Sequence, residues 1–218
     1  MFGLANTSAN RIYTLEIPGR TGVIGMSACP GIRIEAGRRG NLQKNLKRDI
    51  LAYQEWGASG VVTLNETEEL AALGLEDLSH QLIASGFWWR NLPIVDMNVP
   101  AADFEQIWQV EGRQICASLA AGEKIILHCL AGLGRTGMMA ARLLVDMGMA
   151  PERAIHEVRR VRPRAIQTTP QEEYVHQFGN KTKNDRWSRL QGRQSGPGSA
   201  VKSVSSPVGG ANMKGFGT

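Results

Sequence analysis

The stretch Lys124-Ile-Ile-Leu-His-Cys-Leu-Ala-Gly-Leu-Gly-Arg-Thr-Gly-Met-Met-Ala-Ala-Arg-Leu-Leu-Val-Asp-Met147 decides the fold. It opens on an apolar run, Ile125 to Leu127, of the kind found in strands buried on both faces. The strand reads to His128, and a helix reads from Arg135 to Met147. A strand, a glycine-rich turn and a helix in direct succession form one unit of an α/β domain. Glycines at 132 and 134 let the chain bend tightly and turn its backbone N–H groups inward. Such a nest at a helix N-terminus binds a phosphate-like dianion.

The residues around this turn suit one chemistry. The field of the nest favours the thiolate of a cysteine placed at its start, so Cys129 reads as a nucleophile. Arg135 supplies a planar, two-pronged donor for phosphoryl oxygens and for the charge spread over them in the transition state. The amides of Leu130, Ala131, Gly132, Leu133, Gly134 and Arg135 would bind the same anion. Thr136 brings a hydroxyl beside the sulfur, suited to steadying the thiolate as it leaves, and His128 can orient the loop through its ring nitrogens. A single buried cysteine is ordinarily a small core residue; here the whole conjunction of His-Cys, five residues and Arg-Thr-Gly carries the reading. Metal binding is not expected, because His128 and Cys129 have no second Cys/His cluster at ligand spacing. The loop also lacks the Gly-Lys-Ser/Thr ending of an ATP-type P-loop.

Working outward, strand-like and helix-like segments alternate. Strands read at Ile12–Ile17, Val23–Met26 and Val61–Leu64, and an extended segment at Phe87–Val95 with Pro93 inside it. Helices read at Asn41–Trp56, stopped by Gly57, at Leu78–Ala84, at Asp103–Ala121, from Pro151 to Val161, and from Pro170 to Phe178. This alternation predicts an α/β domain with a central, mostly parallel sheet flanked by helices.

The chain has 218 residues and a net charge of +5. Residues 179–218 hold seven Lys/Arg and one acid, while residues 1–178 hold 18 basic and 19 acidic side chains. The basic character belongs to the C-terminal segment, so no nucleic-acid surface is expected on the domain. Gly- and Ser-rich composition predicts a disordered tail over 179–218 behind a domain at 1–178. No apolar run is long enough to span a membrane, and Met1–Asn10 does not read as a signal peptide. Three cysteines without a secretory signal point to the reducing cytoplasm, with Cys29 and Cys116 structural.

His128-Cys-Leu-Ala-Gly-Leu-Gly-Arg-Thr-Gly137 resembles the signature of the protein tyrosine and dual-specificity phosphatase superfamily. Ala165-Ile-Gln-Thr168 with Tyr174-Val-His-Gln-Phe178, and earlier Cys29-Pro-Gly31, Asn41-Leu-Gln-Lys44 and Gly57 to Leu64, resemble the cyclin-dependent-kinase-associated phosphatase group. The likeness spans roughly residues 20–178. It implies a dual-specificity-phosphatase-like domain that needs no metal or organic cofactor and hydrolyses phosphate monoesters through a phosphocysteine. It also implies a phosphorylated protein as substrate, on Tyr and on Ser/Thr, and leaves the oligomeric state open.

Cleavage of a phosphate ester needs a proton for the leaving oxygen. Asp96 lies 33 residues before Cys129 in the Pro-bounded segment Pro93–Pro100, and in the family this loop carries the acid. Asp103 is the rival, better suited to a helix start. The resemblance further places Gln167 and Gln171 where an amide positions the attacking water. Arg159, Arg160, Arg162 and Arg164 form a basic stretch suited to the pocket mouth or to a solvated helix face. Glu66 to Glu69 read as exposed, and at least one of Trp88 and Trp89 as core. Three other readings share parts of the pattern: a phosphatase of phosphoinositides, nucleotides or RNA 5′-phosphates; a non-catalytic phospho-binding module; and a sulfur-transfer enzyme of rhodanese type. The absence of lysines between 130 and 134 disfavours the lipid substrate. The intact Cys129, Arg135 and Asp96 disfavour the binder. The Arg-Thr-Gly ending, with the separate Asp96 loop, disfavours sulfur transfer.

Overall fold

The computed structural model describes residues 9–33 and 41–179; the expected tail lies, from residue 180 onward, outside the described residues, as does the chain start to residue 8. The chain runs β1 (Tyr13–Glu16), β2 (Val23–Ala28), α1 (Leu42–Trp56), β3 (Gly60–Thr63), α2 (Thr67–Ala72), α3 (Leu78–Ala84), β4 (Trp88–Asn91), α4 (Phe104–Ala120), β5 (Lys124–Cys129), α5 (Gly134–Asp146), α6 (Pro151–Val161) and α7 (Thr169–His176). The sheet order is β1-β2-β5-β3-β4. Only the β1–β2 pair is antiparallel. The expected α/β fold with a mostly parallel sheet is therefore present.

Helix boundaries follow local chemistry. The Asn41 side chain accepts the Lys44 N–H at the start of α1, and Gly57 ends it at φ 84°, donating back to Tyr53 and Gln54 carbonyls. Pro151 occupies the first turn of α6. Thr168 caps α7 by accepting the Gln171 N–H.

The sheet separates two cores. Alternate residues of β5 and β3 divide between them: Ile125, Leu127 and Val62 face α4 to α7, whereas Ile126 and Val61 face α1 to α3. Trp88 and Trp89 are both half-buried, Trp88 packing against the first core and Trp89 against the second. With β5 flanked by β2 and β3, its C-terminal end lies at the centre of the sheet edge, where ligands bind in open α/β folds. Cys129 is the last residue of that strand.

One helix was not expected. Residues Glu66 to Glu69 read as exposed, yet Thr67–Ala72 forms α2. Leu70 anchors it, and the Glu69 side chain is only 19% exposed because it reaches back to the end of β5's loop.

Candidate active site

The turn between β5 and α5 is built by holding its carbonyls. Leu130 O accepts from the Cys29 N–H at 3.2 Å. Ala131 O and Gly132 O accept from the Arg162 guanidinium at 3.2 and 3.3 Å. Leu133 O accepts from the Gly137 N–H at 2.9 Å and the Ile166 N–H at 3.3 Å. In a trans peptide the C=O and the following N–H point to opposite sides. Four consecutive held carbonyls therefore turn the N–H groups of Ala131, Gly132, Leu133 and Gly134 the other way, toward the concave side of the loop. The loop has the form of an anion nest.

The two glycines serve different ends. Gly132 sits at φ 65°, and a Cβ there would lie 2.3 Å from Ser27 O. Gly134 is the first residue of α5, without an unusual φ; it is small because the amides of Gln167 and Gln171 press on it, at 2.8 and 3.1 Å from a built Cβ.

Cys129 is buried at the base of the nest. Arg135 is 1% exposed, and its guanidinium is fixed from behind. Glu69 receives both prongs, Nη1 at 2.7 Å and Nη2 at 3.0 Å, and the Ile94 carbonyl accepts from Nη1 at 3.0 Å. Nε is buried and has no hydrogen-bond partner among the described residues, leaving one donor edge for a ligand. Glu69 is the functional residue the sequence reading missed. A buried guanidinium requires a carboxylate partner, and that requirement was the one available signal.

Asp96 meets Arg135 directly, Oδ1 to Nη2 at 2.9 Å, with its side chain 58% exposed. Asp103, the rival, precedes α4 without a capping hydrogen bond and is exposed. Gln171 is fully buried; its Oε1 accepts the Gln167 N–H at 3.0 Å and its Nε2 donates to Asn98 O at 3.1 Å. It thereby ties the Asp96 loop to the start of α7. Gln167 is exposed beside Gly134.

His128 is buried below Cys129. Trp89 Nε1 donates to Thr63 Oγ1 at 2.9 Å, and Thr63 Oγ1 lies 2.8 Å from His128 Nε2. The Thr63 oxygen has two lone pairs, so it can accept from the indole and still either donate to Nε2 or accept from it; Nδ1 is buried without a hydrogen-bond partner among the described residues. Burial, then the Arg135 charge, pushes the His128 pKa down to about 3, so the ring is neutral. Thr136 is buried in the first turn of α5, its hydroxyl without a protein partner among the described residues. Burial, reinforced by the Glu69 charge, raises the Cys29 pKa far above its ordinary value, so Cys29 remains a thiol.

The basic stretch is largely not a substrate-facing rim. Arg159 donates to the Ala165 and Ile166 carbonyls and pairs with Glu172, Arg160 pairs with Glu157, and Arg162 holds the loop. Arg160 and Arg164 are the exposed members.

A central-strand cysteine, a nest of inward amides and a fixed arginine define a cysteine-dependent phosphatase of the dual-specificity fold. Residues 37–149 match the family described as "Polymorphic toxin system, DSP-PTPase phosphatase". The chain belongs to that family, and it is a hydrolase of the protein tyrosine and dual-specificity phosphatase kind. It is 32% identical over 165 residues to cyclin-dependent kinase inhibitor 3 of Sus scrofa, covering 72% of each chain. It is 29% identical over 161 residues to the Rattus norvegicus protein of that name, again covering 72% of each. A crystal structure of kinase associated phosphatase with its catalytic-site cysteine replaced by serine superposes with a TM-score of 0.68 at 26% identity, covering 80% of this chain and 97% of that one. Among the described residues, no helix is long and apolar enough to cross a membrane.

Proposed function

We propose that this phosphatase acts on phosphotyrosine in protein substrates, with phosphoserine and phosphothreonine as further substrates. Cys129 attacks phosphorus, forming the S–P bond as the ester P–O bond breaks, and Asp96 gives its proton to the departing oxygen. Water then attacks the phosphocysteine, Asp96 takes the water's proton, the S–P bond breaks and inorganic phosphate leaves. Arg135 and the amides from Leu130 to Arg135 carry the dianion through both steps. Thr136 steadies the leaving thiolate, and neutral His128 positions the strand end. Gln167 positions the water in preference to Gln171, whose amide is engaged on both sides. Residues 1–178 form the catalytic domain, in keeping with Tyr174, Val175 and Phe178 in its core, and 179–218 a tail. The compartment is the reducing cytoplasm, which suits three cysteines that form no disulfide.

The observation that carries this reading is the set of carbonyls held at 130–133, which turns the loop amides to the concave side, together with an Arg135 guanidinium fixed by Glu69 and Asp96. A substrate dianion would compete with Asp96 for Arg135 and leave the carboxyl beside the leaving group. The phosphoprotein substrate rests on the kinase-related relatives and on a loop without lysines.

Vanadate-sensitive release from p-nitrophenyl phosphate is expected from the wild type and not from Cys129→Ser. A panel of phosphopeptides, phosphoinositides, nucleotides and RNA 5′-phosphates then tests the substrate: phosphotyrosyl peptides should be turned over fastest. A non-protein ester turned over faster would overturn the protein-substrate assignment.

A further inference from the structure

We propose that Arg162 is a positioning residue for the phosphate-binding loop, and that Tyr13 of the antiparallel edge strand seats it. The inference rests on the site described above. Arg162 follows α6, 27 residues beyond Arg135, and lies on the opposite side of the loop from the inward amides. Its Nη2 donates to Ala131 O at 3.2 Å and its Nε to Gly132 O at 3.3 Å. These two carbonyls belong to the peptide planes that carry the Gly132 and Leu133 N–H groups. One rigid fork thus sets two adjacent anion donors at once. A lysine ammonium, a point charge without a planar edge, cannot hold both planes in the same way.

The third nitrogen, Nη1, donates to the Tyr13 hydroxyl, and the guanidinium stacks on the Tyr13 ring, 4.1 Å from its centroid. Hydroxyl and ring together restrict the rotation of a long, flexible side chain. Tyr13 pairs with Met26 at the start of the sheet, so β1 acts on the loop from outside the parallel strands. The other carbonyls of the loop are held by backbone N–H groups. Among the described residues only these two depend on a side chain, so they are the ones a substitution can release without moving the chain.

The test compares the full-length wild type with Arg162→Lys, Arg162→Met and Tyr13→Phe. The readouts are the affinity for inorganic phosphate by calorimetry, kcat and KM on p-nitrophenyl phosphate, and the melting temperature. Both Arg162 variants should bind phosphate, and turn over substrate as kcat/KM, about ten- to a hundredfold less well. Tyr13→Phe keeps the ring and the carbonyl grip and should lose no more than about threefold. A merely structural role would lower the melting temperature while leaving phosphate affinity and kcat/KM at wild-type values well below it. Arg162→Lys within twofold of wild type in both quantities would overturn the proposal, and should Arg162→Met not fold, the lysine variant alone decides. Phosphate affinity is read without turnover, so a wild type that binds phosphate but hydrolyses nothing would sink the assigned chemistry and leave the role of Arg162 still measured.

Discussion

Arg135 is gripped through both prongs by Glu69, which comes from a run of acids that looks like solvated surface, while Asp96 and the Ile94 carbonyl each take one further bond. A free guanidinium would sample many orientations; two bonds to one carboxylate fix its plane. Glu69→Ala should therefore lower kcat/KM on p-nitrophenyl phosphate by about ten- to a hundredfold, since small displacements of a positioned group cost that much. Wild-type kinetics in a folded Glu69→Ala would show that Arg135 is oriented without Glu69, by its remaining bonds to Asp96 and the Ile94 carbonyl. At the same scale His128 makes a pH prediction. Its pKa falls from 6.5 unfolded to about 3 folded. Between these values the unfolded chain binds a proton that the native state excludes, so stability falls as pH drops from 6.5 toward 3. The loss is about 1.4 kcal/mol per pH unit. Denaturant midpoints from pH 7 to pH 4 should show a shallower slope for His128→Asn; identical slopes would remove His128 as the source. Cys129 and Arg135 were singled out by local spacing and Asp96 by a proline-bounded segment that the resemblance marks, and the fold brings Asp96 within 2.9 Å of Arg135. Glu69 was not singled out: its partner is 66 residues away, and nothing local marks that pairing.

At the level of elements, periodicity sufficed for long helices and apolar strands, and their ends lie within one or two residues of the expected ones. It failed for α2, six residues with one buried side chain, too short to show a 3.6-residue repeat. The extended segment expected at Phe87–Val95 holds β4 only to Asn91, but beyond it the Leu92 and Ile94 N–H groups still bond the Thr63 and Leu64 carbonyls, and Pro93 between them presents its N–H-less side away from β3. The turn itself was legible as a nest, but the reason for each glycine was not. Gly132→Ala tests the stricter of the two. Its Cβ would approach Ser27 O at 2.3 Å, Ser27 C at 2.5 Å and Ala28 N at 2.8 Å, all backbone of β2, at a φ that disfavours side chains. The loop must move, so the amides lose their aim. Turnover should fall by about a hundredfold or more, with the far-ultraviolet circular dichroism spectrum kept. Activity close to wild type would mean that the loop tolerates a different path.

For the molecule as a whole, the order of strands was beyond a single sequence, because pairing β5 between β2 and β3 joins segments far apart in the chain. The same holds for the tie across α4, α5 and α7. Arg142 is fully buried and bonds Glu105 through Nη1 and Nη2, Asp146 through Nε at 3.0 Å and the Tyr174 hydroxyl at 3.0 Å. Trp108 donates to the same Asp146 carboxylate, and the guanidinium lies 3.2 Å from the Phe178 ring centroid. From sequence, Arg142 breaks an otherwise apolar helix face; in the fold it is the hub that closes α7 onto the domain. Arg142→Met would remove the cation that Glu105, Asp146 and Tyr174 share, and losing one partner of a buried pair costs about 3–5 kcal/mol. The melting temperature should drop by many degrees. None of these groups touches the loop, so kcat/KM measured well below the melt should stay near wild type. A variant that kept its melting temperature but lost turnover would show that the helix tie governs the site rather than the stability of the fold.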